Sequence, residues 1–467
     1  MKYVHLWTLL PLVCSVQADS GHTDSGPLLL SPLIQEGRID DAKNKSTVTF
    51  FKYFNVTASA YSGYITVNKN SSNLFFLFVE AEHNPENAPL MLWTQGGPGL
   101  SALFGLLLQN GPVKFDVKYN GSLPLPNPSR RELTIQSDWN VIYLDVPVGA
   151  GFSFTASNSS YATKLENITS DIVDFLQQFL VLFSEYQWRD FYAAGDSYAA
   201  RYSVALADYL LRCPGIVNLT FQGTIGGVGF LAPILDLADS SDFLFQVSML
   251  DKKGYGIFKQ QFENIRNITI QGNYTQAIIM LGQTIFAYQE KKTLFQNLTL
   301  YNNHASPLYS EMPLVMMLCF MYVNSSEFKT ALHVGKSTVL QYDNPLLLQQ
   351  LAGDFLVDIT KLIEHVLNKT RVLFYTGQLD ALFPSTNLQA YFDRLNWTKA
   401  NEYRDANRSI WRPYGPATNA AGYMKSAGNF TSAVVLGMGH YAGFDKPDET
   451  YLLMKAFLNK NISFSPQ

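Results

Sequence analysis

A serine becomes a useful nucleophile where a strand turns sharply into a helix, and one segment of this chain has that form. Residues 191–200 read Phe-Tyr-Ala-Ala-Gly-Asp-Ser-Tyr-Ala-Ala, an apolar strand-like run that enters Gly195-Asp196-Ser197-Tyr198-Ala199 and continues as a helix-like run. Small residues at Gly195 and Ala199 let the backbone bend around Ser197, and a helix start favours negative charge developing on its oxygen. An isolated Gly-x-Ser-x-small match is more often an ordinary helix N-cap; the strand before it and the helix after it favour a nucleophile elbow. Such a hydroxyl needs a base. His440, in Gly437-Met438-Gly439-His440, follows the strand-like 433–436 on a loop that glycines leave free to bend. Asp380, in Gly377-Gln378-Leu379-Asp380, follows the strand-like 372–375 and offers a carboxylate to orient the imidazole. Taken singly, Asp380 is a loop cap and His440 a buried histidine; beside the elbow they form a triad.

A further glycine-rich turn, Gln95-Gly96-Gly97-Pro98-Gly99, follows the apolar run 90–94. With no side chain beyond hydrogen, Gly96 and Gly97 allow close approach to a tetrahedral intermediate, so the turn can bring one backbone amide to an oxyanion, with Tyr198 N–H as the second donor. A nucleotide-phosphate loop is the rival, but neither a Gly-Lys-Ser/Thr ending nor a Gly-x-Gly-x-x-Gly pattern is present.

These residues need a scaffold. Residues 60–67 and 74–82 are rich in Tyr, Ile, Val and Phe with a turn-rich break between them, which predicts an antiparallel hairpin at a sheet edge. Short apolar runs at 90–94, 141–146, 191–194, 224–230, 372–375 and 433–436 suit buried parallel strands, and 168–183, 198–211 and 451–458 have helical spacing. That alternation predicts an α/β, mostly parallel doubly wound sheet of the α/β-hydrolase kind, whose chain order is also Ser, Asp, His. The triad and the glycine turn all fall beyond strand carboxyl ends, where such sheets keep their sites. Residues 236–352 lose the rhythm and carry helix-like pieces, so they read as an inserted, largely helical cap between two parts of the core, 19–235 and 353–467.

With 467 residues, 47% hydrophobic and 15% charged, the chain can bury a large core. Its net charge of -4 and lack of a long basic run argue against nucleic acid. Residues 1–18 read as a signal peptide: Lys2, an apolar stretch over 4–13 and Val16-Gln17-Ala18 as cleavage site, too short for a membrane span. Sixteen Asn-x-Ser/Thr sequons point to the same secretory address. Beyond Cys14 only Cys213 and Cys319 remain, and their pairing is open. No cysteine–histidine cluster has metal-ligand spacing, and no cofactor is implied.

Together the residues resemble the serine carboxypeptidase family, closest to its vitellogenic carboxypeptidase-like branch. The resemblance rests on 63–64, 93–99, 104–112, 145–154, 191–202, 229–230, 332–335, 372–380, and His440 with Asp445 and Pro447. It implies a lysosomal or secreted exopeptidase, most active in acid, that removes one residue at a time from peptide or protein C-termini through an acyl-enzyme. It also implies Ser197, Asp380 and His440 as triad and the Gly97 and Tyr198 amides as oxyanion hole. The family commonly holds the substrate carboxylate with Asn or Gln at position 95 and glutamates at 109 and 196. Here Gln95, Gly96, Gln109 and Asp196 take that place, so hydrolase chemistry is the firmer expectation. Other outcomes of the same fold are a catalytically weak peptide-binding or protective protein, and an esterase or acyltransferase. A homodimer is among the oligomeric states left open.

Overall fold

The computed structural model describes residues 26–68, 72–286 and 291–459; the signal-like residues 1–18 lie outside them. Thirteen strands occur among the described residues: β1 (Ala60–Val67), β2 (Ser72–Val79), β3 (Leu90–Thr94), β4 (Val113–Asn120), β5 (Leu123–Arg130), β6 (Asn140–Leu144), β7 (Phe154–Thr155), β8 (Asp190–Asp196), β9 (Thr220–Gly227), β10 (Arg371–Gly377), β11 (Ser409–Trp411), β12 (Gly422–Ala427) and β13 (Phe430–Val435). The large sheet runs β1-β2-β6-β3-β8-β9-β10-β13-β12-β11, with β7 added beside β2. From β6 to β13 neighbours are parallel. Antiparallel strands close both sides, the β1–β2 hairpin joining β6 and the β12–β11 pair joining β13.

The apolar runs become central strands because both of their faces are covered. Leu90, Leu92, Phe191, Ala193 and Phe374 pack into one layer, while Met91, Trp93, Tyr192, Ala194, Leu373 and Tyr375 point into the other. Side chains alternate across a strand, so a continuous apolar run serves two cores at once. Helices Leu165–Leu182, Ala199–Arg212 and Thr360–Lys369 cover the first face, and helix Pro447–Leu458 lies on the second. The predicted helices 168–183, 198–211 and 451–458 all lie within these elements or differ by a residue at one end.

The β4–β5 hairpin has no counterpart in the sequence reading, because β5 reads Leu-Pro-Leu-Pro-Asn-Pro-Ser-Arg. Pro124, Pro126 and Pro128 recur every second residue and face Tyr119, Val117 and Phe115. Prolines at that period direct all their missing N–H groups to one edge, which leaves the other edge free to pair.

Between β9 and β10 the chain is built of helices and loops, including Lys252–Ile270, Tyr274–Leu281 and Leu314–Val323, with no multi-residue strand among the described residues. Cys213 and Cys319 are both unpaired. No described helix is long and apolar enough to cross a membrane.

Candidate active site

Loops leaving the carboxyl ends of β3, β8, β10 and β13 meet at one point. Ser197 follows β8 with φ 59°, a left-handed conformation that costs a residue with a Cβ roughly 1–3 kcal/mol. Three backbone hydrogen bonds hold it there: Ser197 N–H donates to Gly227 C=O at 2.8 Å, and Ser197 C=O accepts from Phe230 N–H at 3.0 Å and Ala200 N–H at 3.1 Å. Gly96 packs directly under the elbow. A Cβ on it would lie 2.7 Å from Tyr198 N and 2.8 Å from both Asp196 O and Ser197 Cβ, so only glycine fits.

His440 Nε2 is 2.9 Å from Ser197 Oγ, and its Nδ1 is 2.8 Å from Asp380 Oδ2. This geometry suits Nδ1–H donating to the carboxylate and Nε2 accepting from the serine hydroxyl. Asp380 is fully buried, and its Oδ1 also accepts from Leu382 N–H at 2.9 Å and Phe383 N–H at 2.8 Å. A buried carboxylate held by three donors keeps its direction. The Phe383 ring stands edge-on to the imidazole at 5.1 Å and limits how it can turn. The structure thus joins Ser197, Asp380 and His440 in one hydrogen-bonded chain.

The backbone N–H groups of Gly97 and Tyr198 have no protein acceptor among the described residues, which leaves both available beside Ser197. The remaining residues expected around a substrate carboxylate are all buried, but in a different arrangement from four free donors. Gln95 Oε1 accepts from Trp93 Nε1 at 3.2 Å, and its Nε2 has no protein acceptor among the described residues. Gln109 Nε2 is already engaged, donating to Asp196 Oδ2 at 2.9 Å and to Tyr441 C=O at 3.1 Å, while its Oε1 is buried without a partner. Asp196 Oδ1 accepts from Tyr375 O–H at 2.6 Å. Burial pushes the Asp196 carboxyl up to about 6, although the bonds from Tyr375 and Gln109 and the nearby His440 oppose that rise. The amide of Gln109 therefore positions Asp196 in this state.

Sequence reasoning missed one contributor from between β9 and β10, the segment 303–306. Ala305 C=O accepts from His440 N–H at 3.0 Å and from Ala381 N–H at 3.3 Å, so a single carbonyl ties together the loops that carry the base and its carboxylate. Asn303 sets that carbonyl: its Oδ1 accepts from Ala305 N–H at 3.0 Å and from Tyr441 O–H at 3.0 Å. Nothing in the residue pattern marks the segment, because its contribution is made by backbone and one amide.

The serine carboxypeptidase family model matches residues 52–460. The chain belongs to the serine carboxypeptidase family. Like other members, this serine carboxypeptidase is a hydrolase on an α/β-hydrolase fold. It is 33% identical to the venom serine carboxypeptidase of Apis mellifera, covering 91% of this chain and 89% of that one. It is 31% identical to the probable serine carboxypeptidase CPVL of Homo sapiens, covering 93% and 90%. The vitellogenic carboxypeptidase of Aedes aegypti is also 31% identical, covering 93% and 90%. Among solved structures, the prohormone-processing carboxypeptidase Kex1 of Saccharomyces cerevisiae superposes with TM-score 0.75 at 18% identity, covering 89% of this chain and 96% of that one. The last comparison speaks to the fold.

Proposed function

We propose that this enzyme removes single residues from peptide C-termini through an acyl-enzyme formed on Ser197. The observation that carries the proposal is the hydrogen-bonded chain Asp380–His440–Ser197, with the serine raised on a left-handed elbow beside two unpartnered amides. Ser197 Oγ attacks the last peptide carbonyl as its proton passes to His440 Nε2, and Asp380 stabilises the imidazolium. Charge developing on the carbonyl oxygen is met by the Gly97 and Tyr198 N–H groups. His440 then protonates the departing amine, and water, deprotonated by the same histidine, releases the shortened peptide.

For the substrate's terminal carboxylate we assign Gln95 Nε2 and the Gly96 backbone as donors, with Gln109 and Asp196 behind them. A protonated Asp196 leaves this corner neutral, whereas an ionised one repels the incoming carboxylate, so binding is best in acid. Residues 236–352 form the cap over the strand ends in this reading, and the Ala305 carbonyl is its contact with the triad loops. A secretory or lysosomal address is supported by exposure: of the fourteen sequon asparagines among the described residues, thirteen are exposed and Asn324 is half-buried. Oligosaccharide on so many sites needs that placement.

Incubating the purified protein with a peptide mixture and reading products by mass spectrometry tests the proposal. The expected result is ladders shortened one residue at a time from the C-terminus, with Ser197 labelled by a fluorophosphonate probe. Internal cuts, or no labelling of the folded protein, overturn it.

A further inference from the structure

At the end of β8 opposite Ser197 stands Trp188, with φ 63° and 66% exposed. A left-handed backbone is costly for a residue with a Cβ, and an indole turned to water forgoes the burial that makes the side chain useful. The ring packs on no aromatic or cationic side chain among the described residues. It borders an open groove of ≈ 800 Å³ also lined by Asn87, Gln187, Arg189 and Asp190. Arg189 donates to Pro85, Ala88 and Glu185 C=O, Asp190 Oδ1 accepts from Gln222 Nε2, and the Asn87 and Gln187 side chains donate to Asn84 Oδ1 and Leu180 C=O, so the groove has an ordered polar wall beside an open indole face. A pyranose fits such a pair of surfaces, its apolar C–H face on the ring and its hydroxyls toward the polar wall.

A sugar source lies on the neighbouring strand, for Asn218-Leu219-Thr220 is a sequon. The register pairs Asp190 with Thr220, which sets Trp188 alongside Asn218, with neighbouring strands about 5 Å apart. Trp188 N–H donates to Asn218 C=O at 2.7 Å, and Thr220 Oγ1–H donates to Trp188 C=O at 3.0 Å. Sequon and tryptophan thus hold each other's backbone. Asn218 is exposed, and its side-chain amide has no partner among the described residues.

We propose that Asn218 carries an N-linked glycan whose first sugar packs its apolar face on the Trp188 indole and continues into the groove, so that the chain's own carbohydrate covers its exposed tryptophan. Attachment joins Asn218 Nδ2 to the anomeric carbon of a lipid-pyrophosphate-linked oligosaccharide. The N–C bond forms as the C–O bond to pyrophosphate breaks, the lipid pyrophosphate leaves with the electron pair, and the amide loses one proton to a base. The proposal rests on the secretory address given above.

The test expresses the full chain in a eukaryotic secretory host, maps glycopeptides by mass spectrometry, and measures Tm for wild type, Asn218→Gln, Trp188→Asn and the double variant. Asparagine at 188 accepts the left-handed backbone, so that variant keeps the turn while losing the ring. The expected result is an occupied Asn218 and a Tm lowered by about 2 °C in Asn218→Gln, with no further loss when the same change is made in Trp188→Asn. An equal loss in both backgrounds overturns the proposal. So does an empty Asn218 on protein glycosylated at Asn55 or Asn407, which leaves the secretory address standing. Protein with no glycan at any sequon overturns both.

Discussion

Strand β8 is bracketed by two residues in the same unfavourable conformation, Trp188 at φ 63° before it and Ser197 at φ 59° after it. Their surroundings differ. Ser197 is fixed from all sides, by Gly227, Phe230 and Ala200 along the backbone, by Gly96 beneath and by His440 at its hydroxyl. Trp188 is fixed only through its backbone, and its side chain meets solvent. Strain held by a fully packed shell positions a reacting atom, whereas strain with an open side chain presents a surface. Changes at the carboxyl end of β8 should therefore remove activity and spare stability, and changes at the amino end should do the reverse.

The sharpest test of that division is Ser197→Ala, which removes one hydroxyl from a buried frame. We expect kcat/KM to fall by about 10⁶-fold with Tm unchanged; a large loss of Tm would show that the elbow also carries stability. Asp380→Asn follows, with a loss of about 10⁴-fold in kcat, because an amide favours the wrong imidazole tautomer and supplies no charge. A mild effect would point to another carboxylate, with Asp445 a candidate because its Oδ2 accepts from Gly439 N–H at 2.9 Å, one residue before His440. Gly96→Ala should reduce kcat by about 10²-fold to 10³-fold, since the added Cβ displaces Tyr198 N, the amide proposed as one oxyanion donor. Unchanged kcat in that variant would place the oxyanion elsewhere.

The pH response sharpens the comparison further. Asp196 is protonated in the folded enzyme below about 6, so KM for free-carboxylate peptides should rise as pH passes upward through that value. Asp196→Asn should abolish the rise, and Gln109→Glu, which adds a second acid, should steepen it. Profiles of identical shape in wild type and Gln109→Glu would remove this corner from substrate binding.

The smallest expected effect is on stability. Burial, helped by the nearby His440, pushes the His304 imidazole from 6.5 down to about 4. Between those values the unfolded chain binds a proton that the folded chain refuses, so stability falls as pH drops from 6.5 to 4. Asp145, Asp196 and Asp445, each raised to about 6, act in the opposite sense, holding protons that the unfolded chain has released. The measurement is therefore a difference: over that interval His304→Phe should lose less Tm than wild type, by a few degrees, and parallel curves would refute the assignment.

The elbow, the base loop and the glycine turn could be read from sequence because each combines a strand-length apolar run with glycines at the bend, a purely local pattern. The parallel strands were legible for the same reason: burial on both faces writes an unbroken apolar run. What escaped depends on distant partners. The prolines of β5 give no strand pattern until β4 is seen beside them. Gln109 reads as a free amide donor until Asp196 and Tyr441 take its hydrogens. Asn303 and Ala305 lie more than a hundred residues after Ser197 and act through one carbonyl, which leaves no signature in residue type.

That carbonyl bears on how the base loop is held. Ala305 C=O is the common acceptor for Ala381 N–H and His440 N–H, and it belongs to the segment between β9 and β10 rather than to the sheet. A chain whose sheet had formed but whose 303–306 segment was not yet docked would keep Leu379 N–H on Met438 C=O at 2.8 Å and still lack the acceptor that holds His440 N–H and Ala381 N–H. Full alignment of the base loop then requires this segment as well as the sheet. A single nick near residue 303 should lower kcat with the triad chemically intact.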